Sequence, residues 1–123
     1  MTRVVFYAKH KTGSGKRLRG VINVLVPQDR VEVCRSVEGL CRKLSFPRTN
    51  NHRTLAVLVS ETQQDLQELL EVRELLEDAS VIMVLPDEKQ ETLAMAHRMR
   101  PRFITYTGGT FADVAGVAAK LLQ

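Results

Sequence analysis

The chain has 123 residues, of which 44% are hydrophobic and 26% are charged, and its net charge is +4. This length suits one domain, residues 1–123, that can bury a sufficient core without a metal or a disulfide. No apolar run approaches the roughly 18 residues of a membrane span and no signal-peptide pattern is present, so we predict a cytoplasmic protein without membrane contact. Cys34 and Cys41 lie in apolar patterns without a neighbouring histidine, which favours buried free thiols over a redox pair or a metal site.

The charge is unevenly distributed along the chain. Residues 1–53 hold twelve Lys and Arg against three acids, a balance of +9, whereas residues 54–123 hold six against eleven, a balance of −5. A basic first half predicts an anionic partner, such as nucleic acid, or self-association with the acidic half. Charged helix faces that contact only water are the simpler explanation, because the sequence has no nucleic-acid motif and no aromatic stacking platform.

Five apolar segments follow one another along the chain, each ending in a polar turn. Residues 4–8, 55–59 and 81–85 are apolar almost throughout, as expected for strands that helices cover on both faces. Residues 30–34 alternate and residues 103–107 are partly polar, so these two segments are predicted edge strands. Right-handed crossovers then predict an α/β fold with a parallel five-stranded sheet in the order 2-1-3-4-5.

A helix is predicted after each strand, because apolar residues recur there at helical spacing. Leu18, Val21, Ile22 and Leu25 form the clearest stripe. Three helix starts show the capping-box pattern, in which a side-chain oxygen at the N-cap accepts from an amide further on. The pairs are Ser60 with Gln63, Asp87 with Gln90, and Thr110 with Asp113. The one long polar connection, residues 45–53, is predicted to be a surface loop.

In this strand order the crevice for ligands lies between the ends of the first and third strands. The turn after the first strand brings glycines, hydroxyls and cations to a helix start, where free amides and the helix dipole favour an anion. The candidate anion-binding residues are Lys9, Lys11, Thr12, Gly13, Ser14 and Lys16. Glycines that only shape a tight turn explain the same pattern. A P-loop is excluded, because His10 and Arg17 replace its glycine and its hydroxyl residue.

Residues 4–15 resemble the first strand and phosphate-binding loop of flavodoxins, where hydroxyl residues around a Thr-Gly pair hold the FMN phosphate. The chain departs from that family at Lys9, Lys11 and Gly15, where small or hydroxyl residues are usual. It has no Trp, and no aromatic residue in the turns after the third and fourth strands to cover a flavin ring. We therefore predict no cofactor, and FMN or nucleotide phosphate binding stays an alternative.

Over its whole length the chain resembles the receiver domain of response regulators. The five strand–helix units, the strand order and the segment 100–104 before the fifth strand carry the resemblance, which implies a three-layer (βα)5 fold. An active receiver has acids after the first strand for magnesium, an aspartate after the third for phosphate, a hydroxyl after the fourth and a lysine after the fifth. The corresponding residues of this chain are Lys9 and His10, Ser60 and Glu61, Pro86, and Thr107. The resemblance thus implies a receiver that has lost magnesium binding and aspartyl phosphorylation.

Receivers use the region of their fourth helix and fifth strand for dimerisation or docking. Here that region carries a basic cluster, His97, Arg98, Arg100 and Arg102, which a helix end stabilised by cations explains equally well. Glu61 is open to three interpretations: a helix-start carboxylate, a phosphate acceptor, or a permanent substitute for a phosphoryl charge.

The expected function follows from this resemblance and from the missing groups. We predict a non-catalytic, phosphorylation-incompetent module of two-component or related bacterial signalling, which acts through a protein partner or as a homodimer. It is not expected to be an enzyme, and the scattered histidines His10, His52 and His97 predict no metal site. Anion binding at the first turn and polyanion binding through the basic half are the alternatives, and the domain could be one piece of a longer regulatory protein.

Overall fold

The computed structural model describes residues 2–10, 13–45 and 53–122. Within them, five strands alternate with five α-helices. The strands are β1 (Thr2–Ala8), β2 (Val31–Cys34), β3 (Arg53–Val59), β4 (Ser80–Leu85) and β5 (Phe103–Tyr106). The helices are α1 (Ser14–Leu25), α2 (Val37–Ser45), α3 (Gln63–Leu70), α4 (Gln90–His97) and α5 (Ala112–Leu121). Short 3₁₀ turns, Gln28–Arg30 and Arg73–Leu76, come before β2 and β4.

All strand pairs are parallel, and the sheet order is β2-β1-β3-β4-β5. The predicted order and the predicted edge strands are confirmed. Val4 pairs with Val31 of β2 on one side and with Leu55 of β3 on the other. Because all strands run the same way, their carboxyl ends meet at one edge of the sheet, where the helices that follow begin.

The central strands supply apolar side chains to both faces of the sheet. Val4, Phe6 and Ala8 of β1 pack with α1 and α5, whereas Val5 and Tyr7 pack with α2, α3 and α4. Alternate residues of a strand point to opposite faces, so the nearly continuous apolar runs build two cores at once. The predicted three-layer α/β architecture is confirmed. Each Val or Phe side chain of this core stabilises the fold by about 1.5–3 kcal/mol when fully buried.

The predicted start of α3 is wrong by two residues. Its N-cap is Thr62, whose Oγ1 accepts from the amide of Asp65 at 3.1 Å. Ser60 is fully buried instead and donates its hydroxyl to the carbonyl of Val84 at 2.9 Å. Ser60 still continues the β3 ladder, since its amide also bonds to Val84, so the chain turns into the helix only after it.

The other two capping pairs also differ from the prediction. The N-cap of α4 is Lys89, and Asp87 accepts from the Lys89 amide at 3.0 Å without a bond to Gln90. The N-cap of α5 is Phe111, and the Thr110 hydroxyl accepts from the Ala112 amide at 3.4 Å rather than from Asp113. In both cases the side chain closes a tight turn two residues long, which competes with a capping box for the same oxygen.

Two predicted features lie wholly or partly outside the described residues. Lys11 and Thr12 of the first turn are not described, and of the predicted loop 45–53 only residues 45 and 53 are described. Cys34 and Cys41 are free thiols, and Cys34 is buried while Cys41 is half-buried. Among the described helices, none combines the length and the apolar character that crossing a membrane requires.

Candidate functional site at the carboxyl ends of the strands

The two residues that follow β1 lie beside carboxylates of α3. Lys9 Nζ lies 3.5 Å from Glu68 Oε1 and 3.9 Å from Asp65 Oδ1. His10 Nε2 lies 3.7 Å from Asp65 Oδ2. Lys9 and His10 are exposed, whereas Asp65 is only 3% exposed. At the end of β1 the crevice therefore has Lys9 and His10 beside acids of α3.

Asp65 is a site residue that sequence analysis missed. Its Oδ2 accepts from the Glu61 amide at 3.1 Å, and its own amide donates to Thr62 Oγ1 at 3.1 Å. These two bonds form a reciprocal cap at the start of α3 that fixes the carboxylate beside Lys9 and His10. The spacing of Thr62 and Asp65, a hydroxyl residue followed three positions later by an acid, was the signal that could have revealed it.

The carboxylate of Glu61 lies against the start of α1. Gly13, the N-cap of α1, has φ 75°, and a Cβ placed on it would meet Glu61 Oε1 at 3.3 Å. The first turn of α1 contains no acid, and Gly13 makes no side-chain cap. Glu61 Oε1 is buried and has no hydrogen-bond partner in the structure as described. The positive end of the α1 dipole thus faces a carboxylate of the same chain.

The start of α1 is also tied to the end of β5. The buried Ser14 hydroxyl donates to the carbonyl of Thr107 at 3.0 Å. Arg17 donates to the same carbonyl at 2.6 Å and to that of Gly109 at 3.2 Å, with its guanidinium 5.1 Å from the ring centre of Phe111. Thr107 therefore contributes its backbone carbonyl to this contact between α1 and the end of β5.

Phe111 holds an unusual backbone conformation beneath Arg17. Its φ of 64° is left-handed, yet the side chain is only 3% exposed and belongs to the core between the sheet, α1 and α5. A bulky residue in this region costs of the order of 1 kcal/mol or more, so packing must over-determine it. The contact with Arg17 is one such restraint.

We expect the change Arg17→Ala to lower the free energy of unfolding by about 1–2 kcal/mol, because two carbonyl bonds and a cation–π contact are lost together. Urea denaturation monitored by circular dichroism measures this. Lys16→Ala, which removes an exposed cation one residue away, is the matched control. Equal effects of the two changes would show that Arg17 acts only through its charge.

A second arginine covers the end of β1. Arg35, just after β2, donates from Nη1 to the carbonyls of Ala8 at 3.1 Å and of His10 at 3.2 Å. Together with Arg17, it satisfies carbonyls at the ends of β1 and β5 that an added ligand would otherwise contact. Over the described ranges, no group of three His, Cys, Asp or Glu side chains could hold a metal ion.

The end of β4 carries Pro86 and Asp87 in place of a hydroxyl residue. The Thr92 hydroxyl donates to Asp87 Oδ1 at 2.6 Å and accepts from Gln63 Nε2 at 3.0 Å, which joins α3 to α4. The hydrogen bond from Thr92, followed by that from the Lys89 amide, holds the pKa of Asp87 below its usual value. The stability from these bonds is present above the ordinary pKa of aspartate and is lost as the pH falls through the lowered one.

The predicted site residues divide into three groups. Lys9, His10, Gly13, Ser14, Glu61 and Thr107 surround the crevice at the carboxyl edge of the sheet, with Pro86 at the neighbouring strand end. Lys16 is exposed on α1, and Ser60 is enclosed between β3 and β4. The basic cluster of His97, Arg98, Arg100 and Arg102 is exposed. It lies just before β5, at the amino ends of the strands, whereas the crevice lies at their carboxyl ends. This separation follows from the parallel strands, because residues before a strand lie at the end of the sheet opposite to residues that follow one.

The strand order and the repeated strand–helix units define the chain as a flavodoxin-like (βα)5 protein. Comparison with protein-family models and with curated proteins finds no match to the chain. The flavodoxin-like class therefore rests on the strand order and the strand–helix units alone.

Proposed function

We propose that this protein is a non-catalytic, phosphorylation-incompetent receiver-like module that acts in bacterial signalling or regulation by binding another protein. The observation that carries the proposal is the internal pairing of the crevice. Lys9 and His10 are held by Asp65 and Glu68, while the carboxylate of Glu61 lies at the start of α1. In place of the groups that would bind magnesium and phosphate in an active receiver, the crevice has Lys9 and His10 beside carboxylates of α3 and the Glu61 carboxylate at the start of α1.

Phosphoryl transfer needs a carboxylate nucleophile beside a divalent cation that neutralises the incoming charge. In this chain Glu61 is the one acid directly after β3, and its Oε1 is buried against Gly13. Lys9, directly after β1, would repel a divalent cation rather than bind it. Attack by Glu61 on a phosphodonor would require this arrangement to open.

The proposal assigns the interaction with a partner to the basic cluster between α4 and β5. His97, Arg98 and Arg102 are exposed, and so is Arg100, whose backbone has φ 52°. This surface lies at the amino ends of the strands and the crevice at their carboxyl ends. Binding of a partner there therefore needs no phosphorylation in the crevice. We expect an acidic surface on the partner, which in a homodimer would be the acidic half of a second copy.

The two alternatives are weakened by particular contacts. A phosphate at the turn after β1 would meet the carboxylate of Glu61, which the helix dipole already favours there. A polyanion on the basic half would find Lys9, Arg17 and Arg35 bonded to groups of the same chain.

Incubation with acetyl phosphate and Mg²⁺, followed by intact-mass measurement, tests the proposal. We expect an unmodified mass under conditions in which an active receiver domain, included as a control, takes up phosphate. A stoichiometric, base-labile phosphate on Glu61 would overturn the proposal. The variant Glu61→Gln distinguishes this outcome from modification elsewhere, because only phosphate on Glu61 would disappear.

A further inference from the structure

A groove of about 640 Å³ lies beside the edge strand β2 and the helix α2. Its lining includes the cations Arg35, Arg42 and Lys43 and both thiols of the chain, Cys34 and Cys41. We propose that this groove binds a small organic anion that has a carboxylate or phosphate group attached to an apolar body. The inference goes beyond the proposed function and does not depend on it, because Arg42 and Lys43, the cations that it assigns to the anion, lie on α2.

The charge of the groove favours an anion. Of the described residues that line it, three are cationic and none is acidic. Lys43 Nζ lies 3.8 Å from Glu32 Oε1, a loose ion pair that a stronger anion could replace. Arg42 is exposed, and no hydrogen bond or ion pair engages it within the described part of the chain. A guanidinium and an ammonium that line the same groove suit a carboxylate or a phosphate.

The other side of the groove suits an apolar body. Val33, Cys34 and Cys41 contribute apolar surface, and Gly39 leaves space because it has no side chain. Burial raises the pKa of the Cys34 thiol, so this surface stays uncharged at neutral pH. The volume lies within the roughly 300–1,000 Å³ that small-molecule sites usually have.

Arg35 connects the groove with the strand-end crevice. It lines the groove, and its Nη1 holds the carbonyls of Ala8 and His10. His10 in turn faces Asp65. An anion that drew the Arg35 guanidinium toward itself would therefore compete with two hydrogen bonds at the end of β1.

Calorimetric titration of the whole chain with two probes tests the site: octanoate, a carboxylate with an apolar chain, and phenyl phosphate, a phosphate with an apolar ring. We expect at least one to bind, and the double variant Arg42→Ala/Lys43→Ala to weaken it about tenfold or more through lost charge-assisted bonds. The control Arg30→Ala/Lys120→Ala removes equal charge from exposed positions outside the groove and should bind as the parent does.

Three results would overturn the proposal: neither probe binds at millimolar concentration, the two double variants weaken binding equally, or neutral octanol binds as well as octanoate. Alkylation of Cys41 by iodoacetamide gives a second measurement on the unaltered chain. The bound probe should slow this reaction several-fold, and an unchanged rate would place the probe elsewhere. This measurement keeps the test valid even if the groove variant does not fold.

Discussion

Replacing Tyr7 with phenylalanine is expected to leave the protein at least as stable at neutral pH and clearly more stable than the parent in alkali. Tyr7 is 0% exposed, and its hydroxyl has no hydrogen-bond partner among the described residues. Removing a buried hydroxyl that makes no bond also removes its desolvation cost, so the change is neutral or favourable.

The alkaline effect follows from the ionisation of the same hydroxyl. Burial, with a smaller effect of the nearby Asp65 and Glu68 carboxylates, raises the pKa of Tyr7 from 10.0 to about 12. Between these values the unfolded chain loses the phenolic proton first, so rising pH favours unfolding. The parent should lose about 2–3 kcal/mol of stability over this interval relative to Tyr7→Phe.

Urea denaturation at several pH values from neutral to strongly alkaline measures the difference between the two proteins. Tyr106→Phe is the matched control, because it removes the other tyrosine hydroxyl of the chain from a half-buried edge strand. Parallel stability curves for the parent and Tyr7→Phe would contradict the expectation, since Tyr7 would then have no linkage to folding.

Replacing Asp65 with alanine is expected to lower the free energy of unfolding by about 2 kcal/mol, because it removes a buried, charged hydrogen-bond acceptor. The Glu61 amide would lose its acceptor, and Lys9 would keep only Glu68. Asp65→Asn separates the two contributions, since its amide oxygen can still accept from Glu61 while the charge opposite Lys9 and His10 is gone.

Chemical denaturation of the three proteins at low and at high salt provides the measurement. The decrease in the free energy of unfolding should be smaller for Asp65→Asn than for Asp65→Ala. For Asp65→Asn it should also become smaller as salt screens the charges. If alanine at this position changed stability no more than a typical surface substitution, about 0.5 kcal/mol or less, the proposed internal pairing of the crevice would lose its support.

The sheet could be predicted because its signals are local and repeated. The strand order could be inferred from two kinds of pattern. β1, β3 and β4 are continuously apolar, as inner strands covered on both faces are, whereas β2 and β5 are partly polar, as edge strands are. The capping pairs could not be predicted as reliably. Ser60 lies before a helix like an N-cap, but whether its hydroxyl meets an amide or the Val84 carbonyl depends on the pairing of β3 with β4.

The crevice was predictable in its position but not in its internal contacts. Lys9, Gly13 and Glu61 were identified from their places after strands, because those places converge in any sheet of this order. The partners of Lys9 in α3 were missed, since they lie 56 and 59 residues further along the chain and depend on how α3 packs. The roles of Arg17 and Arg35 were likewise hidden, because they contact backbone carbonyls, which carry no sequence signal.

The lengths of the edge strands limit how this protein can meet a partner. β2 and β5 have four residues each, whereas the inner strands β1 and β3 have seven. Glu32 of β2 is joined to Arg3 and Lys43, which places charge along that edge. Both edges are short and the β2 edge is charged, so they offer few free backbone groups to a strand from another chain and discourage growth of the sheet between molecules. Association must therefore depend on side chains of the helices and loops, where single substitutions can change it without disturbing the sheet.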